Sequence, residues 1–483
     1  MSFSSSFPAE LLLYVFEYLH ADYKQDMAFC IRRDAEQSHE MMCSVVDQLK
    51  RQLPFPYIQA AVCKQWRNTL KISSHFWTDV VLYTTEFHAV WARQILQSSK
   101  NLPIRIFITY HYRSIPKTAK NEGDTISRLL EICRPHMRRC TWMHVETLLH
   151  TSVPSLAHDF QGGETSALTS LSFGAGLFTD DPVVYRKAGL MPPLPVLTNL
   201  TIDGFSFLQA TRQPSVWEHW GRNLEVLNIY RFKKTLSTGV LLLPNIFVHI
   251  GTLPKLRNLG LRQLQHDFDE DTDLDDLQGL NITSDELKLE QWIVEGLTES
   301  AMEWMFDTFS TPHLQFLDVR ACKWPLGTRL PETPFLSLGR YDPDQAPLDA
   351  SWEGCAIMIS HSSMVDDEFL DQLGEPQVAN GGLYGCPNLN TLAIVDCSGI
   401  TVEGLKKLVE KRGRHVDYSD PRWSDPETFE QPVLLNLVVT AHDYVDPPTE
   451  EERRWFQDHL RMFVWKSGTT VIDELMEVGI GWP

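Results

Sequence analysis

No Cys-x-x-Cys occurs anywhere in the 483 residues, and the nine cysteines are an odd number scattered along the chain. That excludes the usual zinc modules and gives no basis for a disulfide framework, so a reducing compartment, cytoplasmic or nuclear, is expected. Long apolar runs are also missing. The longest, Gly239 to Leu253, is too short to span a bilayer and contains Pro244 and His249. The opening stretch MSFSSSFPAELLLYVFEYL has no basic n-region and carries Glu10 and Glu17 inside its apolar part, so no secretory leader and no membrane partner are expected. Positive charge is scarce. With 43 Lys and Arg against 63 Asp and Glu the formal net charge is −20, and no basic stripe offers itself to phosphates, which argues against nucleic acid. Catalytic signatures are absent as well: no Gly-x-Ser-x-Gly elbow, no phosphate loop ending in Gly-Lys-Ser/Thr, and no His-Glu-x-x-His. The 17 histidines form no ligand cluster along the sequence, so neither a metal nor any other cofactor is expected, and the chain reads as non-catalytic.

What is present begins with charge. His266 to Asp276 holds seven carboxylates in eleven residues; it lacks the turn Gly and terminal Glu of a calcium loop and reads as a solvated acidic loop. Apolar residues make up 43% and charged residues 22%, the balance of an ordered chain, and 483 residues far exceed one compact core, so two or more domains or one elongated array is expected. Beyond residue 80 a template recurs, apolar-x-x-apolar-x-apolar-x-x-apolar, starting at Met137, Leu168, Leu197, Leu224, Leu256, Leu289, Leu314, Leu389 and Leu434. Thirty-four of its 36 template positions are apolar, Gly176 and His442 being the exceptions. An alternating centre of this kind suits a short strand, and the period is close to that of leucine-rich repeats. Residues 323–388, rich in Pro and Gly, read as an irregular insertion, and FGAGLF (Phe173 to Phe178) as a turn after a strand.

Two stretches go beyond pattern. CPNLNTLAIVDCSGITVEGLKKLVEK (Cys386 to Lys411) resembles the cysteine-containing leucine-rich repeat of F-box proteins, with Cys397 at the ninth template position, where LQFLDVRAC places Cys322. Both cysteines read as packing residues. The N-terminus resembles an F-box: Phe7-Pro8, Glu10-Leu11, Tyr18-Leu19, then Val62-Cys63-Lys64-Gln65-Trp66, Ser74 and Trp77 follow in the family's order. Pro8 suits a first helical turn; Leu11, Leu12, Val15, Phe16 and Leu19 recur at helical spacing over about three turns. Cys63 and Trp66, three apart on what reads as one helix, belong to a surface that holds a partner. The family's two helices lie closer together, so residues 20–55 read as a helical insertion, with Met42, Val45, Val46 and Leu49 on one stripe.

The expected architecture is α/β: an F-box module over 1–82, a leucine-rich-repeat solenoid over 83–445 with parallel strands on its concave face and helices or loops on its convex face, and a C-terminal capping helix or tail over 446–483. The resemblance implies docking on the Skp adaptor, and through it a cullin, by Phe7, Pro8, Glu10, Leu11, Leu12, Val15, Leu19, Val62, Cys63, Trp66 and Trp77. Template positions three, five and seven point outward from a solenoid strand. Asp203, Asn228, Tyr230, Arg262, Glu295, Phe316, Asp318 and Arg320 are therefore expected to form an exposed surface for a protein substrate. The function so implied is that of a substrate receptor of a cullin-based ubiquitin ligase. The alternative is a leucine-rich scaffold without a ligase connection.

Overall fold

The computed structural model describes residues 8–36, 55–84, 89–110, 119–155, 159–160, 165–177, 192, 194–232, 243–264, 287–322, 330–340, 352–363, 365–377, 383–384, 386–413, 433–441 and 445–467. Phe7, the stripe Met42 to Leu49 and the acidic run His266 to Asp276 lie outside them. The chain divides into two compact units, Met1–Leu241 with Thr252–Leu256, and Leu242–Gly251 with Arg257–Pro483.

The first unit opens on helix α1 (Ala9–Glu36), then α2 (Tyr57–Val62) and α3 (Lys64–Ile72). Pro8 stands just ahead of α1 and its carbonyl accepts the Leu12 N–H at 3.1 Å. The helix does not stop near Leu19 as the three-turn reading expects. Residues 9–36 contain neither Gly nor Pro, so nothing terminates it, and it runs on for 28 residues. The Val-Cys-x-x-Trp stretch is likewise not one helix. Cys63 is extended (φ −158°) and separates α2 from α3, its Sγ accepting the Trp66 N–H at 3.5 Å as an N-cap.

Strands β1 (Asp79–Tyr83), β2 (Ile104–Thr109), β3 (Cys140–Leu149), β4 (Ser170–Leu177), β5 (Asn199–Asp203) and β6 (Val226–Phe232) follow, with α4 (Ala89–Ser98), α5 (Ala119–Cys133), α6 (Gly204–Thr211) and α7 (Pro214–Gly221) among the connections. The second unit holds α8 (Leu243–Ile250), β7 (Asn258–Leu264), β8 (Gln291–Glu295), α9 (Glu299–Thr308), β9 (Phe316–Arg320), β10 (Phe335–Gly339) and β11 (Ala356–Ser360). It continues through α10 (Asp367–Gly374), a two-stranded hairpin of β12 (Pro376–Gln377) and β13 (Leu383–Tyr384), β14 (Thr391–Val395), α11 (Val402–Arg412), β15 (Asn436–Ala441), α12 (Glu450–His459) and β16 (Met462–Ser467). Among the described residues, β1–β6 of the first unit lie in a parallel sheet in chain order, and so do β7–β11 and β14–β16 of the second. The chain is thus α/β, as expected. Short parallel strands returned by longer connections are what the repeating apolar template encodes.

Each template start falls at a strand, and the register corrects one of them. Trp142 pairs with Ser170, so the repeat of β3 begins at Cys140, three residues later than Met137, with Cys140, Met143, Val145 and Leu148 inward. Three other expectations are also corrected. The insertion expected at 323–388 contains regular repeat strands among its described residues, because β10 and β11 lie inside it and pair with β9 and β14. Their first template positions are Thr333 and Gly354, which an apolar template skips. Trp352 fills the space at Gly354, where an added Cβ would sit 2.0 Å from its Cζ2. FGAGLF is mostly strand β4. The capping helix of 446–483 ends at His459, and Met462-Phe-Val-Trp465, alternating β-formers, become β16 beside β15.

One backbone device marks the repeats. Arg231, Gln263, Gly296, Ala321, Arg340, His361 and Asp396, all at the eighth template position, adopt φ between 47° and 65°. This left-handed residue turns the chain out of its strand, yet its N–H stays in the ladder. Gly296 donates to Arg320 O at 2.9 Å, Ala321 to Gly339 O at 2.9 Å, and Asp396 to Thr440 O at 2.9 Å. Six of the seven are not glycine, so the sheet holds them there against the cost to a side chain.

Candidate functional site

Helix α1 carries two apolar stripes. Leu12 and Phe16 are buried, with Leu19 and Tyr23 half-buried on the same side, and Phe16 meets the Trp66 ring edge-on at 5.2 Å. The other face is open: Leu11, Tyr14, Val15 and Tyr18 are 48%, 75%, 45% and 75% exposed. Their spacing, i, i+3, i+4, i+7, is that of a stripe built to be covered. On α2, Ile58 and Val62 are also exposed, one turn apart. Tyr14 and Ile58 escaped the sequence reading, and Tyr18, read there as part of the family motif, was not counted among the docking residues, because the whole helical face was not followed.

The expected adaptor-docking residues therefore divide. Leu11, Val15 and Val62 are exposed, as are Pro8 and Glu10. Leu19, Cys63 and Trp66 are half-buried. Leu12 and Trp77 are corrected to internal packing residues: both are buried, and the Trp77 indole Nε1 donates to Leu70 O at 3.0 Å.

A buried ionic knot anchors α1 to the sheet. Asp79, on β1, receives Arg105 Nε on Oδ1 at 2.6 Å and Arg105 Nη2 on Oδ2 at 2.8 Å, and Lys24 from α1 reaches Oδ2 at 2.8 Å. Burial by itself pushes the Asp79 carboxyl up, but the Arg105 and Lys24 cations outweigh it and hold the group below its ordinary range. Tyr57 bridges the same strand, donating to Asp79 O at 3.2 Å and accepting from Val81 N at 3.1 Å.

The face carrying positions three, five and seven is far less open than expected. Asp203, Tyr230, Arg262, Glu295 and Asp318 are buried, Asp318 at 1% exposure. Asn228, Phe316 and Arg320 are half-buried. Neighbouring strands stand about 4.8 Å away on both sides, so a side chain that points outward is still shielded by its flanking rungs. Several of these groups serve the fold. Asp203 caps α6, its Oδ1 accepting Phe205 N and Ser206 N at 3.0 Å each. Asp318 holds Arg320 Nε at 3.0 Å, and Glu295 accepts from Gln263 Nε2 at 3.2 Å. Burial lowers the Arg262 guanidinium to about 10, and its Nε and Nη1 have no hydrogen-bond partner. Cys322 and Cys397 sit at the ninth template position, where burial raises them to about 12 and about 11, far from a reactive thiolate.

Glu17, His20 and His75 are brought together by the fold, against the reading that the histidines form no cluster. The cause is distance along the chain, since Glu17 and His75 are 58 residues apart. His20 is lowered to about 4, chiefly by burial and then by the neighbouring Lys24 and His75.

Among the described residues no helix is long and apolar enough to cross a membrane. The chain matches no protein-family model and no curated protein.

Proposed function

We propose that the chain is the substrate receptor of a cullin-based ubiquitin ligase, with an F-box module at about 7–82 docking on a Skp-type adaptor and a leucine-rich solenoid holding a target protein. The observation that carries this reading is the second apolar face of α1. A helix that only packed against its own repeats would need one such face, and this one has two. Leu11, Tyr14, Val15 and Tyr18 would meet the adaptor, while Leu12 and Phe16 keep the helix seated. The receptor itself does no bond chemistry. It raises the effective concentration of target lysines near the charged conjugating enzyme. On the repeat face, Phe316 and Asn228 keep partial access and would contact the target, whereas Asp203, Tyr230 and Asp318 are committed to the interior.

Co-purification with the Skp adaptor tests this. The wild-type chain is expected to capture the adaptor one to one, and Leu11→Asp/Val15→Asp to lose capture while keeping its circular dichroism, because both side chains already face solvent. A folded wild type that captures no adaptor would overturn the reading in favour of a scaffold.

A further inference from the structure

We propose that Glu17, His20 and His75 form a divalent transition-metal site of the Zn2+ type that clips helix α1 to the 3-10 turn Ser74–Trp77. The inference does not rest on the receptor reading. Glu17 and His20 are three residues apart on α1 and so share a face. His75 comes from the turn that leads into β1, and its Nε2 lies 3.2 Å from a Glu17 carboxylate oxygen. One ligand atom from each of the three residues lies within 4.8 Å of the other two. Two imidazoles and one carboxylate are a zinc donor set, with a fourth position left to water. Bond lengths of about 2.0–2.1 Å place tetrahedral ligand atoms about 3.4 Å apart. The Glu17–His75 pair already stands at that separation, and the third ligand must close by little more than an ångström.

The surroundings fit a metal better than a simple ion pair. The His20 ring is held from three sides, 5.4 Å from Phe55, 5.2 Å from Phe76 and 5.4 Å from the His75 ring, so its direction is set before any ion arrives. Lys24, a cation whose charge reaches His20, is engaged with Asp79 at 2.8 Å, which offsets it. Glu17 is exposed and His75 half-buried, so an ion has an open route. The cluster lies on a different side of α1 from Leu11, Tyr14, Val15 and Tyr18, leaving that stripe free.

Calorimetric titration of the full chain with Zn2+ after chelator treatment tests the proposal. Because 17 histidines and nine cysteines invite weaker binding elsewhere, the readout is the difference between variants. His20→Ala and His75→Ala are each expected to remove one equivalent of the tightest binding, and Glu17→Gln to weaken it at least about tenfold. His75→Cys, which supplies another zinc ligand, is expected to restore it. Zn2+ should raise the melting temperature of wild type and leave that of His75→Ala unmoved. Superimposable isotherms for wild type, His20→Ala and His75→Ala, with each variant folded by circular dichroism, would overturn the site. Adaptor capture that persists while zinc binding fails would sink this inference and leave the receptor reading standing.

Discussion

At the scale of single residues, the most consequential side chain is Asp79, because it is a charge inside the protein answered from two directions. Arg105 from the adjacent strand and Lys24 from α1 both close on it. Removing one partner of a buried ion pair leaves the other uncompensated, so Asp79→Asn is expected to cost about 3–5 kcal/mol, measurable by urea unfolding. The sign of the pH dependence follows from the depressed carboxyl. Its contribution is present above the unfolded carboxylate pKa of about 3.9 and is lost as pH falls through the lower folded value. Wild type should therefore lose stability steeply on the acid side, and Asp79→Asn should lack that part of the loss. Gly354 makes a different residue-scale point. A methyl there would collide with Trp352 and Thr333 O, so Gly354→Ala should destabilise by about 1–3 kcal/mol through overpacking, which the same unfolding measurement reports.

At the scale of elements, the unit is a strand followed by one left-handed residue. Ala321 is exposed at φ 47°, so Ala321→Gly should relieve strain and raise stability by about 0.5–1 kcal/mol. Gly296→Ala should do the reverse by about 1 kcal/mol, since φ 65° penalises a side chain although the nearest atom to its new Cβ is 3.7 Å away. Thermal unfolding of the two variants beside wild type checks both signs. This element also explains what could be read from the sequence. The inward Leu, Ile and Val of most strands were legible because they alternate and recur. Strands β10 and β11 were not, since Thr333 and Gly354 replace the leading Leu and Trp352 supplies the missing volume from a neighbouring position. The left-handed turn left no trace, because Arg, Gln, Ala, His and Asp occupy six of its seven positions and Gly only one. On α1 the inward face was legible, but the continuous run of the helix past Leu19 and the outward tyrosines needed the whole period to be followed.

At the scale of the molecule, charge and burial decide behaviour. A net charge of −20 spread over the chain repels itself, and added salt screens that repulsion. The melting temperature is therefore expected to rise between about 0.02 M and about 0.5 M NaCl, a rise to which the buried Asp79 pairing contributes little. The repeat face was legible as a face but not in its exposure. Alternation along one strand says which way a side chain points; only the strands on either side say whether water reaches it, and that information lies some thirty residues away in the chain. Asp203 shows the point from another angle, since an Asp followed by Gly-Phe-Ser is a helix cap as readily as a contact residue.

The outward stripe of α1 carries a liability for a newly made copy. Four large apolar side chains open to water are a handle for chaperones and a seed for self-association. On the receptor reading proposed above, a copy made in excess of its partner would behave as an orphan subunit, its lifetime set by how quickly assembly hides those four residues.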